Sequence, residues 1–428
     1  MRKYHNNIEQ NIEKYKRQKT KAEDNTWYLL ATLYGVNDKQ HNNMSAWNKY
    51  FHGNLDTATQ EEFRDKFKAR CRELGKDLSL PEYDANIDFS NVEFDQDISF
   101  EGFHFVRPVR FDGATFSGDA NFQSAYFYQR ISFENAEFSR SVDFHEVTFC
   151  GVADFDGATF SQEAHFNNAK FSNEVVFRSM TFSAWTFFAN ATFSSQADFF
   201  DAKFLAGAGF ESATFSSTAI FAKAAFHEES YFINTEMKST TSFEGTKFLT
   251  EPPRFFGAKL HQGTVWHNII WPKPPPPNKA RLFIDAYACL KLEMDRLKKH
   301  EDELKFFALE MEARRVLLGW RQGLPIAIYG VVSNYGLSYG RPLYWLLATV
   351  VIGTGTFFWF TDLSIYTSIG FSLANILNVF GFRREFFDPH FIENLPVWIK
   401  VVTAGQTLFG AICLFLIGLG IRNRFRMK

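Results

Sequence analysis

Phenylalanine recurs at alternating intervals of five and six residues through the centre of this 428-residue chain. From position 89 to position 248 the pattern has 30 slots, of which 29 are Phe and one is Met237. The unit of repetition is therefore 11 residues, and its register never slips. A strict internal period of this kind is typical of architectures in which one small structural unit stacks on the next.

A second apolar position lies two residues before each slot. Its 30 members are 15 Ala, eight Ile or Val, Phe103, Met180, four Thr and one Ser. An 11-residue period also fits a right-handed helical supercoil. In an α-helix, however, offsets of two and five residues lie on different faces, whereas residues i and i+2 of an extended chain point the same way. Because the intervening Asp, Asn, Gly and Ser favour turns, we predict short strands joined by turns.

Runs such as ADFDGATFSQEAHFNNAKF, residues 153–171, resemble the pentapeptide-repeat family. The resemblance extends over residues 86–271. It implies a right-handed, four-sided β-helix with one repeat per side, in which a central Phe and a small residue two positions earlier both point inward. One extra residue in every second repeat makes 22 residues per turn in this chain. After an insertion around residues 252–253 the pattern resumes at Phe255, Leu260, Trp266 and Trp271.

Each Phe is expected to stack on the Phe one turn later, so that continuous ladders form the core. Burying one such ring contributes about 1.5 to 3 kcal/mol, against the entropy lost when the chain is ordered. The predicted fold class is mainly β, a quadrilateral β-helix or solenoid over residues 86–271. Its core ladder includes Phe111, Phe116, Phe122, Phe133, Phe144, Phe155 and Phe166.

A column of strands exposes backbone edges at both ends, and these edges need caps to stop end-to-end growth. Residues 1–85 are charged and helix-like. They contain apolar clusters at Trp27–Leu33 and at Trp47, Tyr50 and Phe51. We predict that this region forms a helical N-terminal cap.

Residues 272–279 are rich in proline, which forbids both helix and strand ladder and makes a stiff, extended linker. From residue 280 the apolar side chains follow a spacing of three and four, which predicts an amphipathic helix over residues 280–321. Two roles remain open for this helix. One is packing on the solenoid or on the membrane surface, and the other is a coiled coil that joins subunits.

The membrane module is predicted over residues 322–428. Residues 343–360 and 401–421 are uncharged, apolar and long enough to cross a bilayer. The flanking bases are Arg341 before the first span and Arg422, Arg424, Arg426 and Lys428 after the second. By the positive-inside rule both termini are expected in the cytoplasm. The first 25 residues are polar and charged, so we expect no secretory signal peptide there. We predict a multi-pass protein of the cell membrane, the inner one in a bacterium.

Residues 363–382, between the spans, carry no charge but include three Ser, one Thr and two Asn. A third crossing would place the basic tail outside the cell, so we predict a re-entrant or interfacial segment. The order of span, re-entrant segment and span is similar to the pore module of two-helix cation channels. The TVGYG-like filter of potassium channels is absent, so the resemblance implies no potassium selectivity.

Gln406 is the one strongly polar side chain of the second span, accompanied by Thr403 and Thr407. An amide without a partner is costly in hydrocarbon. One interpretation is a hydrogen bond between helices of the bundle. The other is a pore-lining position, with Asn375 and Asn378 near the narrowest point.

Little in the sequence indicates catalysis. The GxxxxGK[ST] phosphate loop, the HExxH zinc helix and the GxGxxG dinucleotide motif are absent, and the four cysteines form no CxxC pair. The pairs His145–Glu146 and His227–Glu228 fall at outward or corner positions and are expected to be solvated. We therefore expect no enzyme, no cofactor and no metal site.

Residues 86–260 hold 12 basic and 23 acidic residues, a net charge of -11, whereas the rest of the chain holds 34 basic and 25 acidic residues, or +9. Some pentapeptide-repeat proteins with acidic exteriors imitate DNA, but acidic surfaces also keep proteins soluble. We expect no nucleic-acid partner for a solenoid tethered to a membrane.

The sequence thus predicts a non-enzymatic membrane protein that presents a rigid acidic solenoid as an interaction scaffold or sensor. The alternative is an oligomeric ion channel whose pore is built from the two spans and the re-entrant segment. Membrane lipid, further copies of the chain and a cytoplasmic protein on the sides of the β-helix are the expected partners.

Overall fold

The computed structural model describes residues 19–35, 40–51, 56–361 and 363–426. The chain divides into two units, Met1–Lys273 and Pro274–Lys428. The first unit contains the repeats and all the strands of the described residues, and the second consists of helices.

The repeats form four parallel sheets whose strands, with one three-residue exception, are two residues long. Sheet 1 contains Thr20–Lys21, Val92–Phe94, Thr115–Phe116, Glu137–Phe138, Thr159–Phe160, Thr181–Phe182, Lys203–Phe204, Ala225–Phe226 and Lys247–Phe248. Sheet 2 contains Ile87–Asp88, Val109–Arg110, Ile131–Ser132, Ala153–Asp154, Val175–Val176, Ala197–Asp198, Ala219–Ile220 and Thr241–Ser242. Sheet 3 contains Ile98–Ser99, Ala120–Asn121, Val142–Asp143, Ala164–His165, Thr186–Phe187, Ala208–Gly209 and Ser230–Tyr231. Sheet 4 contains His104–Phe105, Tyr126–Phe127, Thr148–Phe149, Lys170–Phe171, Thr192–Phe193, Thr214–Phe215 and Glu236–Met237.

Neighbouring strands of one sheet are separated by one full turn of the repeat, as in the pairing of Ile131 with Ala153. The predicted parallel β-solenoid is thereby confirmed, with about seven turns of continuous sheet. One further turn follows through isolated bridges such as Tyr231 to Arg254 and Ser242 to Val265. The members of each bridge are one position further apart in sequence than the strand partners before them, because this turn contains an additional residue beside Pro252 and Pro253.

The slot residues line the interior of the solenoid, and all 30 are at most 2% exposed. The ring of Phe133 stacks on Phe155 at 4.9 Å between centroids and meets Phe144 of the next column edge-on at 5.6 Å. The second apolar set is also buried. The predicted ladder residues Phe111, Phe116, Phe122, Phe133, Phe144, Phe155 and Phe166 are each 0% exposed.

The alternation of five and six residues arises from two kinds of corner. Every five-residue step contains a residue with positive φ, and these residues recur every 11 positions from Asn91 to Gly245. The six-residue steps between positions 94 and 243 pass through a bend with negative φ. Glycine or Asn occupies nine of the 15 positive-φ positions, because these residues tolerate the left-handed conformation best. Glu146, of the His145–Glu146 pair, is one of these corner residues.

The helical cap predicted over residues 1–85 is confirmed for the described residues of that range, whereas residues 1–18, 36–39 and 52–55 lie outside them. It contains α1 (Thr26–Ala31), α2 (Gln40–Phe51) and α3 (Thr57–Glu73). The indole of Trp47 is fully buried against Phe103 and Phe105, with centroids 5.4 and 5.3 Å away. A short strand that the sequence did not reveal, Thr20–Lys21, pairs with Val92 and Glu93 and covers the edge of sheet 1.

The second unit begins with a helical hairpin of α4 (Ala280–Arg296) and α5 (His300–Ser333). We expected one continuous amphipathic helix over residues 280–321, but the chain reverses where Lys298 adopts a left-handed φ of 60°. The two helices pack together, and Lys291 Nζ lies 2.6 Å from the buried Glu310 carboxylate. The apolar stripe of α4 therefore finds a partner within its own segment.

The remaining helices are α6 (Gly340–Phe360), α7 (Ile365–Ile376), a 3-10 turn (Leu377–Phe380), α8 (Phe382–Phe386), α9 (Pro389–Asn394) and α10 (Val397–Arg426). Helices α6 and α10 contain the predicted spans 343–360 and 401–421. By length and composition, both are able to cross a membrane. Helix α7 and the 3-10 turn occupy most of the predicted re-entrant segment.

Replacing Phe155 by Asp is expected to unfold the solenoid locally or entirely. Phe155 lies between the rings of Phe133 and Phe177, at 4.9 and 5.2 Å, so the variant loses two stacks and buries an unpaired charge. We expect the melting temperature of the full chain, followed by circular dichroism, to fall by roughly 10 °C or more. The exposed Gln162, changed to Asp as the control, should leave it unaltered. Equal melting of the two variants would contradict the inward placement.

Changing Asp156 to Asn is expected to stabilise the solenoid at neutral pH. Burial, reinforced by the charge of Asp154, raises the pKa of Asp156. An acid whose pKa is higher in the folded state destabilises that state increasingly as the pH rises from the unfolded pKa through the folded pKa. The gain in melting temperature should therefore be present at neutral pH and vanish below about pH 4, the usual range of Asp. The control changes the exposed Glu244 to Gln. If this variant gains as much melting temperature, the cause is the lower net negative charge and not the burial of Asp156.

Candidate functional site

Three helices of the second unit enclose a cluster of neutral polar side chains. Gln406 of α10 lies at its centre, and its Nε2 donates hydrogen bonds to Ser372 Oγ of α7 and to the carbonyl oxygen of Thr349 in α6, the latter at 3.2 Å. Its Oε1 accepts from Asn375 Nδ2 at 3.3 Å. Ser372 in turn donates to the carbonyl oxygen of Val350 at 3.0 Å. The cluster thus joins α6, α7 and α10 through hydrogen bonds.

The spacing of polar residues along α7 builds one wall of the cluster. Ser368, Ser372 and Asn375 are separated by four and three residues, so they share one helical face, and all three are fully buried. Ser364 caps the start of this helix, because its side chain accepts from the backbone N–H of Thr367. The opposite face is apolar and exposed, with Tyr366 83% accessible.

Gly353 makes the close approach of α6 to this cluster sterically feasible. A Cβ atom at this position would lie 2.3 Å from Gln406 Nε2 and 2.7 Å from Ser372 Oγ. Both distances are shorter than any real contact of this kind, so a side chain there would displace the amide. The neighbouring Thr354 is also buried.

Three oxygen atoms of the cluster region have no hydrogen-bond partner in the described part of the chain. They are Asn375 Oδ1, Ser368 Oγ and Thr354 Oγ1. Buried polar groups are costly when they remain unpaired. Amides and hydroxyls cannot act as acids or bases near neutral pH, so this cluster is suited to hydrogen bonding or to binding water or a cation.

The other residues predicted for this site lie close by on the same elements. Thr403 and Thr407 of α10 donate to the carbonyl oxygens four residues earlier, at 2.8 and 3.0 Å. Asn378 lies in the 3-10 turn, one turn beyond Asn375. The structure therefore brings Gln406 and Asn375 into direct contact. Sequence reasoning missed Ser368, Ser372 and Gly353, although the helical spacing of the first two with Asn375 was a usable signal.

An aromatic row lies on the outer face of sheet 3. Phe187 stacks on His165 at 5.0 Å, and Trp185 lies within 6.0 Å of both Phe187 and Tyr231. The guanidinium of Arg254 sits over the ring of Tyr231 at 4.7 Å. We call these residues the sheet 3 aromatic row. Its members at 165, 187 and 231 recur at whole turns of the repeat, a regularity that the sequence displayed but that we did not interpret.

The titratable side chains near this row form contacts at the solenoid surface, such as His165 Nε2 with the Glu163 carboxylate at 3.4 Å. His145 Nε2 lies 3.5 Å from its neighbour Glu146, at the surface. Residues 336–340 read GLSYG and match the GxSxG pattern of hydrolases, but that motif needs a strand followed by a helix. Here Ser338 lies in a turn between two helices and accepts from the backbone N–H of Arg341 at 3.2 Å.

A third candidate site, made of titratable residues, lies at the turn of the helical hairpin. One ligand atom from each of Asp295, His300 and Glu303 falls within 4.8 Å of the others, a separation from which a divalent cation could be bound. His300 Nδ1 is 3.0 Å from Glu303 Oε2, so an ion pair within the helix accounts for this contact equally well.

Comparison with known families locates the repeats. Residues 122–170 and 133–181 match the family model of pentapeptide repeats (9 copies). No curated protein and no solved structure matches the chain. The matched segments lie in the middle of the four-sheet solenoid, where inward Phe and Ala alternate with polar corners. Residues 122–181 therefore carry pentapeptide repeats, and the same 11-residue pattern and four sheets continue on both sides of them.

Proposed function

We propose that this chain is an integral membrane protein whose helices α6 and α10 cross the bilayer and anchor a rigid acidic solenoid in the cytoplasm. The solenoid serves as an interaction scaffold or sensor, and the protein performs no chemical reaction. The cell membrane, which is the inner one in a bacterium, is its location.

The observation that carries this proposal is the reversed polarity of α6, α7 and α10. In a water-soluble protein, apolar side chains face the interior and polar ones face the solvent. In this unit Ser372, Asn375 and Gln406 are buried, whereas Val351 of α6 and Leu408 of α10 are exposed. Lipid is the solvent for which this arrangement is favourable, because polar groups must then find partners inside the protein.

The position of the basic residues supports a cytoplasmic location of both termini. Arg424 donates to the hydroxyl of Tyr339 at 3.1 Å, and Asn423 donates to the carbonyl oxygen of Gly336 at 3.1 Å. The start of α6 and the end of α10 are therefore adjacent. Their bases lie on one side of the proposed bilayer, as the positive-inside rule requires of the cytoplasmic side.

The surface of the solenoid supports the role of scaffold. The excess of acidic residues over residues 86–260 and the sheet 3 aromatic row favour a protein partner with a basic surface, since arginine binds both carboxylates and ring faces. Arg254 over Tyr231 illustrates this contact within the chain itself. We propose such a cytoplasmic protein as the partner, together with membrane lipid.

A second candidate function is an oligomeric ion channel. The buried cluster around Gln406, with its unpartnered oxygens, favours it, because neutral oxygen ligands are those that monovalent cations accept in pores. The cluster lies between three helices of one chain, so a pore would require several copies around a common axis. A homo-oligomer is therefore part of this second proposal.

Replacing Val351 by Arg tests whether α6 faces lipid. A charge near the centre of a membrane helix costs about 2.5 to 3.5 kcal/mol on insertion, whereas an exposed position in water tolerates it. We expect the variant to be extracted from membranes by alkaline carbonate or degraded, while the unaltered protein stays in the membrane pellet. The control is Leu292 changed to Arg, an exposed leucine of α4, which should stay in the pellet. Equal behaviour of both variants would contradict the membrane assignment.

Ion flux into liposomes separates the two functions. For a scaffold we expect no flux above that of empty liposomes with any of the ions tested. Flux that is lost on changing Gln406 to Leu or Asn375 to Ala, but kept on changing the outward-facing Leu408 to Ala, would support the channel. A strictly monomeric mass in detergent would exclude the channel, because one pair of helices encloses no pore.

A further inference from the structure

Helix α5 is interrupted at Gly319, where the backbone has φ 69° and ψ −175°, and its content of charged residues changes there. This conformation is accessible essentially only to glycine, and it divides the helix into two segments. Before the break, α5 carries ion pairs such as Arg314 with Glu310 at 2.7 Å. After it, residues 320–333 contain a single charged side chain, Arg321. We call this second part the post-kink segment.

One side of the post-kink segment packs on the proposed spans. Val332 is buried together with Cys413 and Leu416 of α10, and Tyr329 contacts the same group. Ser333 is fully buried, and its hydroxyl donates to the carbonyl oxygen of Tyr329 at 2.9 Å. The segment therefore lies beside the end of α10 from which the basic tail emerges.

The other side of the post-kink segment is apolar and exposed. Its residues follow a spacing of four, four and three, so they form one continuous stripe along the helix. Their exposed fractions lie between 51 and 78%. The stripe consists of Trp320, Leu324, Ile328 and Val331. Water is an unfavourable environment for such a stripe, so something apolar is expected to cover it.

Two arginines contact the post-kink segment, and two more lie at the end of α10. The Arg321 guanidinium lies over the Trp320 ring at 5.1 Å. Arg341 Nη1 donates to the carbonyl oxygen of Gly330 at 3.4 Å, and Arg422 and Arg424 are exposed at the end of α10. The sequence contains no Asp or Glu from residue 316 to 361 or from 401 to 428. The last acid before the post-kink segment in the sequence is Glu312, which accepts a hydrogen bond from the Tyr335 hydroxyl at 2.6 Å.

We infer that the post-kink segment lies in the headgroup layer of the cytoplasmic leaflet and that it forms, with these arginines, a binding site for anionic phospholipid. The stripe enters the acyl boundary, and the guanidinium groups bind lipid phosphates, which they match in charge and geometry. A second copy of the chain fits less well, because a symmetric contact would bring arginines against arginines. This inference rests on the proposed membrane location of α6 and α10.

The depth of the stripe can be measured on the full chain in nanodiscs. Leu324 is changed to Cys in a background whose four native cysteines are Ala, and a bimane fluorophore is attached. We expect quenching by shallow spin-labelled phospholipid and protection from aqueous iodide. The same label at Leu292 of the hairpin should show the reverse. At Leu408 of α10 it should be quenched by deeply spin-labelled lipid.

The three positions separate the possible failures. Iodide quenching at Leu324 together with lipid quenching at Leu408 would overturn the inference and leave the membrane anchor intact. Protection of Leu324 from both quenchers would assign the stripe to a contact with another protein copy, which also overturns it. Iodide quenching at Leu408 would refute the proposed function itself.

A comparison of anionic with zwitterionic lipid tests whether the arginines bind anionic headgroups. Spin-labelled phosphatidylglycerol should quench the Leu324 fluorophore more strongly than spin-labelled phosphatidylcholine. Changing Arg341 or Arg424 to Gln should reduce this preference by roughly fivefold each, which corresponds to one basic residue near an anionic surface. Arg384, an exposed arginine between α7 and α10, changed to Gln as the control, should leave it unchanged. Equal quenching by the two lipids in the unaltered protein would overturn the anionic site.

Discussion

Stacking of Phe on Phe one turn later is the interaction on which the solenoid depends. Stacked Phe rings of successive turns have centroids 4.6 to 5.3 Å apart, close to the spacing of paired strands. The same distance therefore satisfies the backbone hydrogen bonds and the ring contacts. Strands of two residues are too short to be stable alone, so the continuous columns of stacked rings supply most of the stability of the solenoid.

The exceptions to the pattern show how the core tolerates change. Thr235 and Thr246 replace the usual small apolar residue, and their hydroxyls donate to the carbonyl oxygens of Phe210 and Phe221 at 2.8 and 2.7 Å. Their polarity is thus satisfied inside the column. In the last turn Trp266 stacks on Phe243 at 4.6 Å, so a larger ring covers the last Phe of that column.

The two units of the chain bury opposite kinds of side chain. The solenoid buries rings and small apolar groups and exposes charge, as proteins in water do. The helical unit buries Ser372, Asn375 and Gln406 and exposes aliphatic and aromatic side chains. The polar cluster and the proposed lipid contact both follow from this reversal.

The periodicity of the sequence predicted most of the solenoid, because each repeat contacts its neighbours in a fixed register. The break at Lys298 was not predicted, since the apolar spacing of three and four continues across it and a local left-handed residue leaves no mark on that pattern. The strand Thr20–Lys21 was missed because two polar residues acquire strand structure only by pairing with Val92 and Glu93. Gly353 had no visible role until Gln406 was placed against it.

The repeat length, the inward residues, the helical cap and the two apolar stretches can be deduced from the order of the amino acids, because each depends on contacts that recur at a constant separation or on local composition. The contact of Gln406 with Ser372 and Asn375, the hairpin of α4 and α5, and the apolar stripe with arginines near it became visible in the folded chain. Those arrangements join residues that are distant along the chain, and no period of the sequence relates them.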